Sequence, residues 1–231
     1  MNVVLRQEEK YLITTYEYLN SRARFNKILR RDIHARDKEY IVRSLYFDTL
    51  NDYDYNAKIL ESEIRKKIRL RIYDPKGDFA MLELKQKQGE YQKKTSLKLA
   101  KEDAIELTNG RYSVLLNYDT SFATEMYTIM STDFYRPKSI IQYNREAYMA
   151  KENNIRLTFD SSIIATESNM NIFDENLCMY PVFQSDMVVF EVKYNRFLLS
   201  YIKDVISKVD KSKLSVSKYC LGRGVAHNYI F

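Results

Sequence analysis

Between Ile64 and Tyr73 the chain alternates with a period of two, setting Lys67, Arg69 and Arg71 against Ile68, Leu70 and Ile72. Successive side chains of a strand point to opposite faces, so this segment reads as a strand with one basic and one apolar face. The pattern recurs along the sequence. Glu83, Lys85 and Lys87 oppose Leu82 and Leu84, Glu191 and Lys193 flank Val192, and Arg6, Glu8 and Lys10 form a further row. Asn144-Arg145-Glu146 and Ile155-Arg156-Leu157 place single arginines within strands. A solvated sheet face accounts for any one strand taken alone. Across the set one sign is in excess, although arginines two apart on a strand are ~7 Å from each other. Each such pair costs roughly 2 kcal/mol at an effective dielectric of ~20. A face that keeps this repulsion is suited to a multivalent anion.

The remaining elements follow from periodicity and turn chemistry. Val4–Ile13, Tyr40–Asp48, Phe79–Gln88, Gln92–Leu99, Ser139–Met149, Asn154–Asp160 and Met187–Tyr194 read as further strands. Asp74-Pro75-Lys76-Gly77-Asp78 and Gly89-Glu90 are turns. Helices are expected over Tyr16–Ile33 (apolar at Tyr16, Leu19, Ala23 and Ile28), Lys101–Leu107, Val114–Tyr118, Thr120–Thr132 and Leu198–Val209, with Thr166–Ser185 read as loop. Sequential strands with short turns imply an antiparallel sheet. The helices are too few to bury both faces of so many strands. The expectation is therefore α+β, one domain over residues 1–231, with the sheet closed on itself around a charged interior and an apolar exterior partly covered by helices.

Composition removes several function classes. Cys178 and Cys220, with His34 and His227, have no zinc-ligand spacing and indicate no disulfide framework. Early charge at Arg6, Glu8, Glu9 and Lys10 argues against a signal peptide, and no apolar run is long enough to span a bilayer, so a cytoplasmic location is expected. No G-x-x-x-x-G-K-[ST] occurs, and Gly222-Arg223-Gly224 is too short for a dinucleotide fingerprint. Ser96, Ser215 and Ser217 lack a neighbouring His-Asp grouping. Phosphate would thus be held by side chains, Arg as a fork and Lys as a point charge. Glu8, Glu83 and Glu191 alternate with the cations. They could serve as salt-bridge partners or hold a divalent cation that bridges phosphates. Cations interlocked with carboxylates are a poor groove for nucleic acid.

Arg6-Gln7-Glu8-Glu9-Lys10-Tyr11, Arg43-Ser44-Leu45-Tyr46-Phe47-Asp48-Thr49, Ile68-Arg69-Leu70-Arg71-Ile72-Tyr73 and Glu83-Leu84-Lys85 appear in order. Arg136-Pro137-Lys138, Tyr143-Asn144-Arg145-Glu146-Ala147, Ile155-Arg156-Leu157, Phe190-Glu191-Val192-Lys193-Tyr194 and Ser217-Lys218-Tyr219 complete the series. Together these motifs resemble the VTC domain of polyphosphate polymerases, within the triphosphate tunnel metalloenzyme (CYTH-like) superfamily. The resemblance implies a closed eight-stranded antiparallel tunnel barrel, with accessory helices outside and at one end, that binds ATP and inorganic polyphosphate with Mn²⁺ or Mg²⁺. By motif position, Arg69, Arg71, Lys85, Arg145 and Lys218 would act on the reacting phosphoryl groups. Lys10, Lys58, Lys98, Arg156, Lys193 and Ser217 would bind substrate, and Glu191 with Glu8 would hold the metal. Lys58 falls where eukaryotic members carry Arg. The superfamily's E-x-E-x-K signature is reduced to Glu8-x-Lys10 with Arg6 in the first acidic place, which favours the polymerase branch over tripolyphosphatases and cyclases. With no membrane segment of its own, the chain would need a separate membrane partner, at the inner face of the membrane, to couple synthesis to translocation. Hydrolysis of tripolyphosphate, and non-catalytic binding of polyanions, are the alternatives.

Overall fold

The computed structural model describes residues 6–32, 39–89, 91–213 and 217–228. Val4, Leu5, Ile33, His34, Glu90 and Ser215, on which parts of the reading above fall, lie outside them. The described chain runs β1 (Arg6–Thr14), α1 (Thr15–Ile28), β2 (Arg30–Arg31), β3 (Tyr40–Asp48), α2 (Tyr53–Ile59), β4 (Ile64–Ile72), β5 (Phe79–Gln88) and β6 (Tyr91–Ala100). It continues through α3 (Lys101–Thr108), a 3₁₀ segment (Tyr112–Asn117), α4 (Ser121–Thr132), β7 (Arg136–Ala150), β8 (Ile155–Thr166), β9 (Tyr180–Pro181), β10 (Met187–Asn195), α5 (Ser200–Ser207), β11 (Ser212–Lys213) and α6 (Lys218–Asn228).

The class is α+β with a large antiparallel sheet. Its strand order is β11-β1-β10-β8-β7-β3-β4-β5-β6, with β2 added to β7 and β9 to β8. This corrects the expected closed eight-stranded barrel. Eight strands are long, but three two-residue strands bring the described total to eleven, and the order is open. Among the described residues the path stops at β11, which pairs there with Tyr11 and Leu12, a ladder too short to carry the sheet onward. At the other end the outer edge of β6 has no strand partner among the described residues.

Two compact units divide the chain: Met1–Ile41, Tyr143–Ile163 and Phe183–Ser215 form the first, and Val42–Gln142, Ile164–Val182 and Val216–Phe231 the second. In the first, β1 pairs with β10 from Arg6↔Asn195 to Thr14↔Met187, and β10 pairs with β8 from Val189↔Asp160 to Lys193↔Arg156. The apolar face of these strands (Ile13, Leu157, Phe159, Val188, Phe190, Val192) packs on α1 and α5. Thr14 caps α1 by accepting a hydrogen bond from the Glu17 amide. The buried stripe of α1 is Tyr18, Ser21 and Phe25, whereas Tyr16, Leu19 and Ile28 of the expected stripe are exposed. Phe25 decides the rotation, because it reaches rings of Tyr148, Phe159 and Phe190.

In the second unit, β3 to β6 pair in sequence. Their apolar face (Leu45, Phe47, Ile68, Leu70, Leu82, Leu84) is covered by Ala104 and Leu107 of α3 and by Met126 and Met130 of α4. The Asp74–Asp78 turn closes through Gly77 N–H to Asp74 O at 3.0 Å. Helix α2, absent from the sequence reading, begins where the Asp48 carboxylate accepts the amides of Thr49, Asp54 and Tyr55. The segment read as loop contributes β9 and the buried pair Ile172 and Phe173, held by the Arg43 guanidinium on the carbonyls of Ile172 and Asp174. Helix α6 seats Gly222 against Ile141 and Ala165.

Candidate functional site

Directly paired residues of an antiparallel ladder share a face. On the side of β3–β6 away from the apolar core this gives four cross-strand rows. They are Ser44–Arg71–Met81–Lys98, Tyr46–Arg69–Glu83–Ser96, Lys67–Lys85–Lys94 and Arg65–Lys87–Gln92. Glu83 is the counter-ion of this face. It meets Lys94 Nζ at 2.6 Å, Arg69 Nε at 2.7 Å and Arg71 Nη1 at 3.6 Å. Burial alone would raise its carboxyl, but Arg69, Arg71 and Lys94 bring it down to about 2. Three cations on one carboxylate leave a net positive group.

Arg69 Nη1 also donates to the Tyr46 hydroxyl at 3.0 Å. Burial pushes the Tyr46 phenol up, yet Arg69, Arg71 and Lys218 turn the balance and hold it below its ordinary value. Arg71 Nε and Ser44 Oγ are buried with no hydrogen-bond partner among the described residues. Unsatisfied buried donors of this kind are costly, and an anion's oxygens would relieve them.

Lys218 opens α6, and Ser217 caps that helix by accepting the Cys220 amide at 3.2 Å. Tyr219 stacks on Tyr46 at 5.1 Å and donates to Asp48, tying the helix start to β3. Lys98 lies 4.2 Å from the centre of the Phe79 ring. Lys58 meets Glu61 at 3.6 Å.

The first unit carries a checkerboard. Glu8 faces Lys193 and Lys10 faces Glu191 across β1 and β10, and on β8 the same rows continue to Arg156 and Thr158. Lys10 is 2.9 Å from Glu8 and 3.9 Å from Glu191, while Lys193 is 2.9 Å from Glu191 and 4.0 Å from Glu8. Burial raises the Glu8 carboxyl, but Lys10 and Lys193 hold it below the usual carboxylate range. Burial likewise draws the Lys193 ammonium down despite its two glutamates. Arg145 grips Asp160 through Nε at 2.6 Å and Nη2 at 2.7 Å, and Nη2 stands 3.9 Å from Glu191. Although burial opposes it, Asp160 holds the Arg145 guanidinium well above its ordinary value. Arg156 is engaged by Asp32 at 2.7 Å and by the Tyr40 hydroxyl at 3.2 Å.

Glu8, Lys10, Arg145, Glu191 and Lys193 are thus one contact network, with Arg156 beside Lys193 in the ladder. Arg69 and Arg71 meet on Glu83, with Lys85 one row along. The sequence reading assigns Asp160, Tyr46, Thr158 and Lys94 no role in the site. Asp160 was accessible to the same period-two reading, since Arg156-x-Thr158-x-Asp160 lie on one face.

The carboxylates of Glu8 and Glu191 share the ammonium groups of Lys10 and Lys193, which gathers them at one place on the sheet. Two oxygen donors suit a hard divalent ion that completes its shell with phosphate oxygens and water. No cluster of three or more metal-ligating residues occurs among the described residues. The donor set therefore fits an ion taken together with a phosphate ligand.

No curated protein sequence matches the chain. Among solved structures, a candidate adenylyl cyclase from Hippeastrum with a dominant triphosphatase activity superposes with a TM-score of 0.58 at 11% identity, covering 96% of each chain. A candidate adenylate cyclase from Bacillus halodurans gives 0.48 at 10% identity, covering 89% of this chain and 87% of that one. At this level of identity the Hippeastrum likeness shows the fold alone. A family model described as the VTC domain matches residues 5–227, nearly the whole length, and to the VTC domain family this chain belongs.

Proposed function

We propose that this protein is a metal-dependent phosphotransferase that moves the γ-phosphoryl group of ATP onto the end of a growing polyphosphate chain. The observation that carries this reading is the Arg69–Arg71–Glu83 group on a basic sheet face, with buried, unpartnered Arg71 Nε, in a chain of the VTC family. A terminal oxygen of polyphosphate forms the new bond to the γ-phosphorus, the bond to the β-bridging oxygen breaks, and ADP leaves. That terminal oxygen is already ionised at neutral pH, so no general base is required. Arg69, Arg71, Lys85, Arg145 and Lys218 neutralise and align the reacting phosphoryl groups. Lys10, Lys58, Lys98, Arg156, Lys193 and Ser217 hold the flanking phosphates. Glu191, with Glu8, would hold Mn²⁺ or Mg²⁺, which supplies charge neutralisation at the triphosphate when bound.

The reading includes a single functional domain over residues 1–231 and a cytoplasmic site of action. Among the described residues no helix is long and apolar enough to cross a membrane. In this reading a separate membrane protein is the partner for translocation.

Hydrolysis is the second reading, favoured by the triphosphatase activity of the Hippeastrum neighbour, and it differs only in using water as acceptor. Incubation with ATP and Mn²⁺, with products resolved by length, separates the two. Chains longer than the input support the transferase. Orthophosphate without chains overturns it.

A further inference from the structure

Strand β3 brings two hydroxyls to the basic face, Ser44 and Tyr46, two residues apart and therefore on one side of the strand. Both residues are buried. Ser44 Oγ has no hydrogen-bond partner among the described residues. The Tyr46 oxygen accepts Arg69 Nη1 at 3.0 Å, and the phenol's own proton meets no acceptor among the described residues. A chain of contacts fixes the ring. Tyr219 stacks on it with centroids 5.1 Å apart and planes 18° from parallel, and Tyr55 of α2 meets Tyr219 edge-to-face at 6.2 Å. The Tyr219 hydroxyl donates to Asp48 at 2.7 Å. Asp48 is itself fully buried and pinned by the amides of Thr49, Asp54 and Tyr55. A donor held this firmly needs no reorganisation when charge develops beside it.

We propose that Tyr46 is a catalytic residue, whose hydroxyl donates a hydrogen bond to an oxygen of the phosphoryl group in transfer. This rests on the function proposed above. The groups around the phenol are Arg69 and Arg71 on β4, Glu83 on β5 behind them, Lys218 and Tyr219 on α6, Tyr55 on α2 and Asp48 on its own strand. The cations attract the charge of a triphosphate wherever it lies, so they stabilise bound substrate and transition state together. Tyr46 is neutral and directional. As the bond from the γ-phosphorus to the β-bridging oxygen breaks, its electron pair passes to ADP and charge shifts among the phosphate oxygens. A fixed hydroxyl counts most at that moment. Arg69, by donating to the phenol oxygen, polarises the O–H bond and strengthens it as a donor. The proton stays on Tyr46 throughout, so nothing is added to the balance of the transfer. An ionised phenol would have no proton to offer. Against the pull of burial, Arg69, Arg71 and Lys218 hold the phenol below its ordinary value, so the donor is lost at a lower pH than in a free tyrosine.

The test follows ATP turnover with Mn²⁺ across pH in three proteins. They are the wild type, Tyr46→Phe, which keeps a ring to stack on Tyr219, and a protein with a ring-fluorinated, more acidic tyrosine in place of Tyr46. Tyr46→Phe should lower kcat by about tenfold to a hundredfold, the worth of one hydrogen bond to a charged group, with KM for ATP within about twofold. Its thermal midpoint should match the wild type. In the wild type kcat should fall at alkaline pH, and the fluorinated ring should move that fall to lower pH, which a merely structural tyrosine would not do. An unchanged kcat in Tyr46→Phe overturns the assignment. So does a loss confined to KM, which would make Tyr46 a binding group alone, and so does an alkaline fall that stays in place when the ring is fluorinated. A wild type that turns over no ATP overturns the functional reading itself, and this inference with it, before any variant is made.

Discussion

Replacing Lys193 by Met should tighten the binding of a divalent metal to the substrate-free protein, although Lys193 is itself proposed to bind substrate. In the checkerboard its ammonium stands 2.9 Å from Glu191 and 4.0 Å from Glu8, so it already occupies the two carboxylates that would take the metal. A metal can use them only by displacing it. A charge-assisted hydrogen bond of this kind is worth about 1.5–3 kcal/mol. Removing it should raise Mn²⁺ affinity by between about tenfold and a hundredfold, at 1.4 kcal/mol per factor of ten. Titration followed by the Mn²⁺ electron paramagnetic resonance signal reads this without substrate or turnover. Lys193→Arg keeps the charge and should bind as the wild type does, and adding Glu191→Gln to Lys193→Met should abolish the gain. Unchanged or weaker Mn²⁺ binding in Lys193→Met would refute the reasoning. The corollary is reciprocal. A triphosphate that draws Lys10 and Lys193 onto its own oxygens frees the glutamates, so each ligand should strengthen the other's binding.

Three further outcomes are expected. Asp160→Ala leaves the buried Arg145 guanidinium without its bidentate partner and should cost about 3–5 kcal/mol in urea unfolding. A loss below about 1 kcal/mol would show that Arg145 finds another partner. Asp54 is buried beside Tyr135, and burial pushes its carboxyl from 3.8 up to about 7. The folded state therefore keeps a proton that the unfolded chain releases, so stability should fall as pH rises from 3.8 to about 7 and then level off. Asp54→Asn should flatten that slope in denaturation curves taken across the range. Gly222→Ala places a methyl 2.7 Å from the Ile141 side chain and 3.3 Å from Ala165 Cβ. It should lower stability by about 1–3 kcal/mol, and a smaller residue at Ile141 should restore part of the loss.

The cation rows were legible because a strand's period of two survives in sequence whatever the strand pairs with. Which cations meet which carboxylates was not legible, since that depends on register. Glu83 resolves as the counter-ion of Arg69, Arg71 and Lys94, and only the β4–β5–β6 pairing brings Lys94 to it. The same dependence hid Asp160 as the partner of Arg145. Helix α1 was found but rotated wrongly, because Tyr16, Leu19 and Ile28 offer a helical spacing equal to that of the true buried side. The aromatic neighbours of Phe25 come from β7, β8 and β10, distant in sequence. Helix α2 escaped notice because its start is set by Asp48, at the end of the preceding strand, and its seven residues carry no long periodicity. Closure of the sheet was inferred from a shortage of helices, a count that says nothing about whether the end strands find each other.

The open edge at β6 has a consequence for how the protein behaves in company. An unpaired strand edge invites a second chain to add to it, and lysines along the edge are a common deterrent. Strand β6 carries Lys93, Lys94 and Lys98, all exposed, and these charges keep neighbouring molecules from aligning there. A polyanion long enough to neutralise them would remove that protection. Crowding of the protein onto long-chain polyphosphate should therefore promote association through β6, and light scattering should rise with chain length before any change in fold.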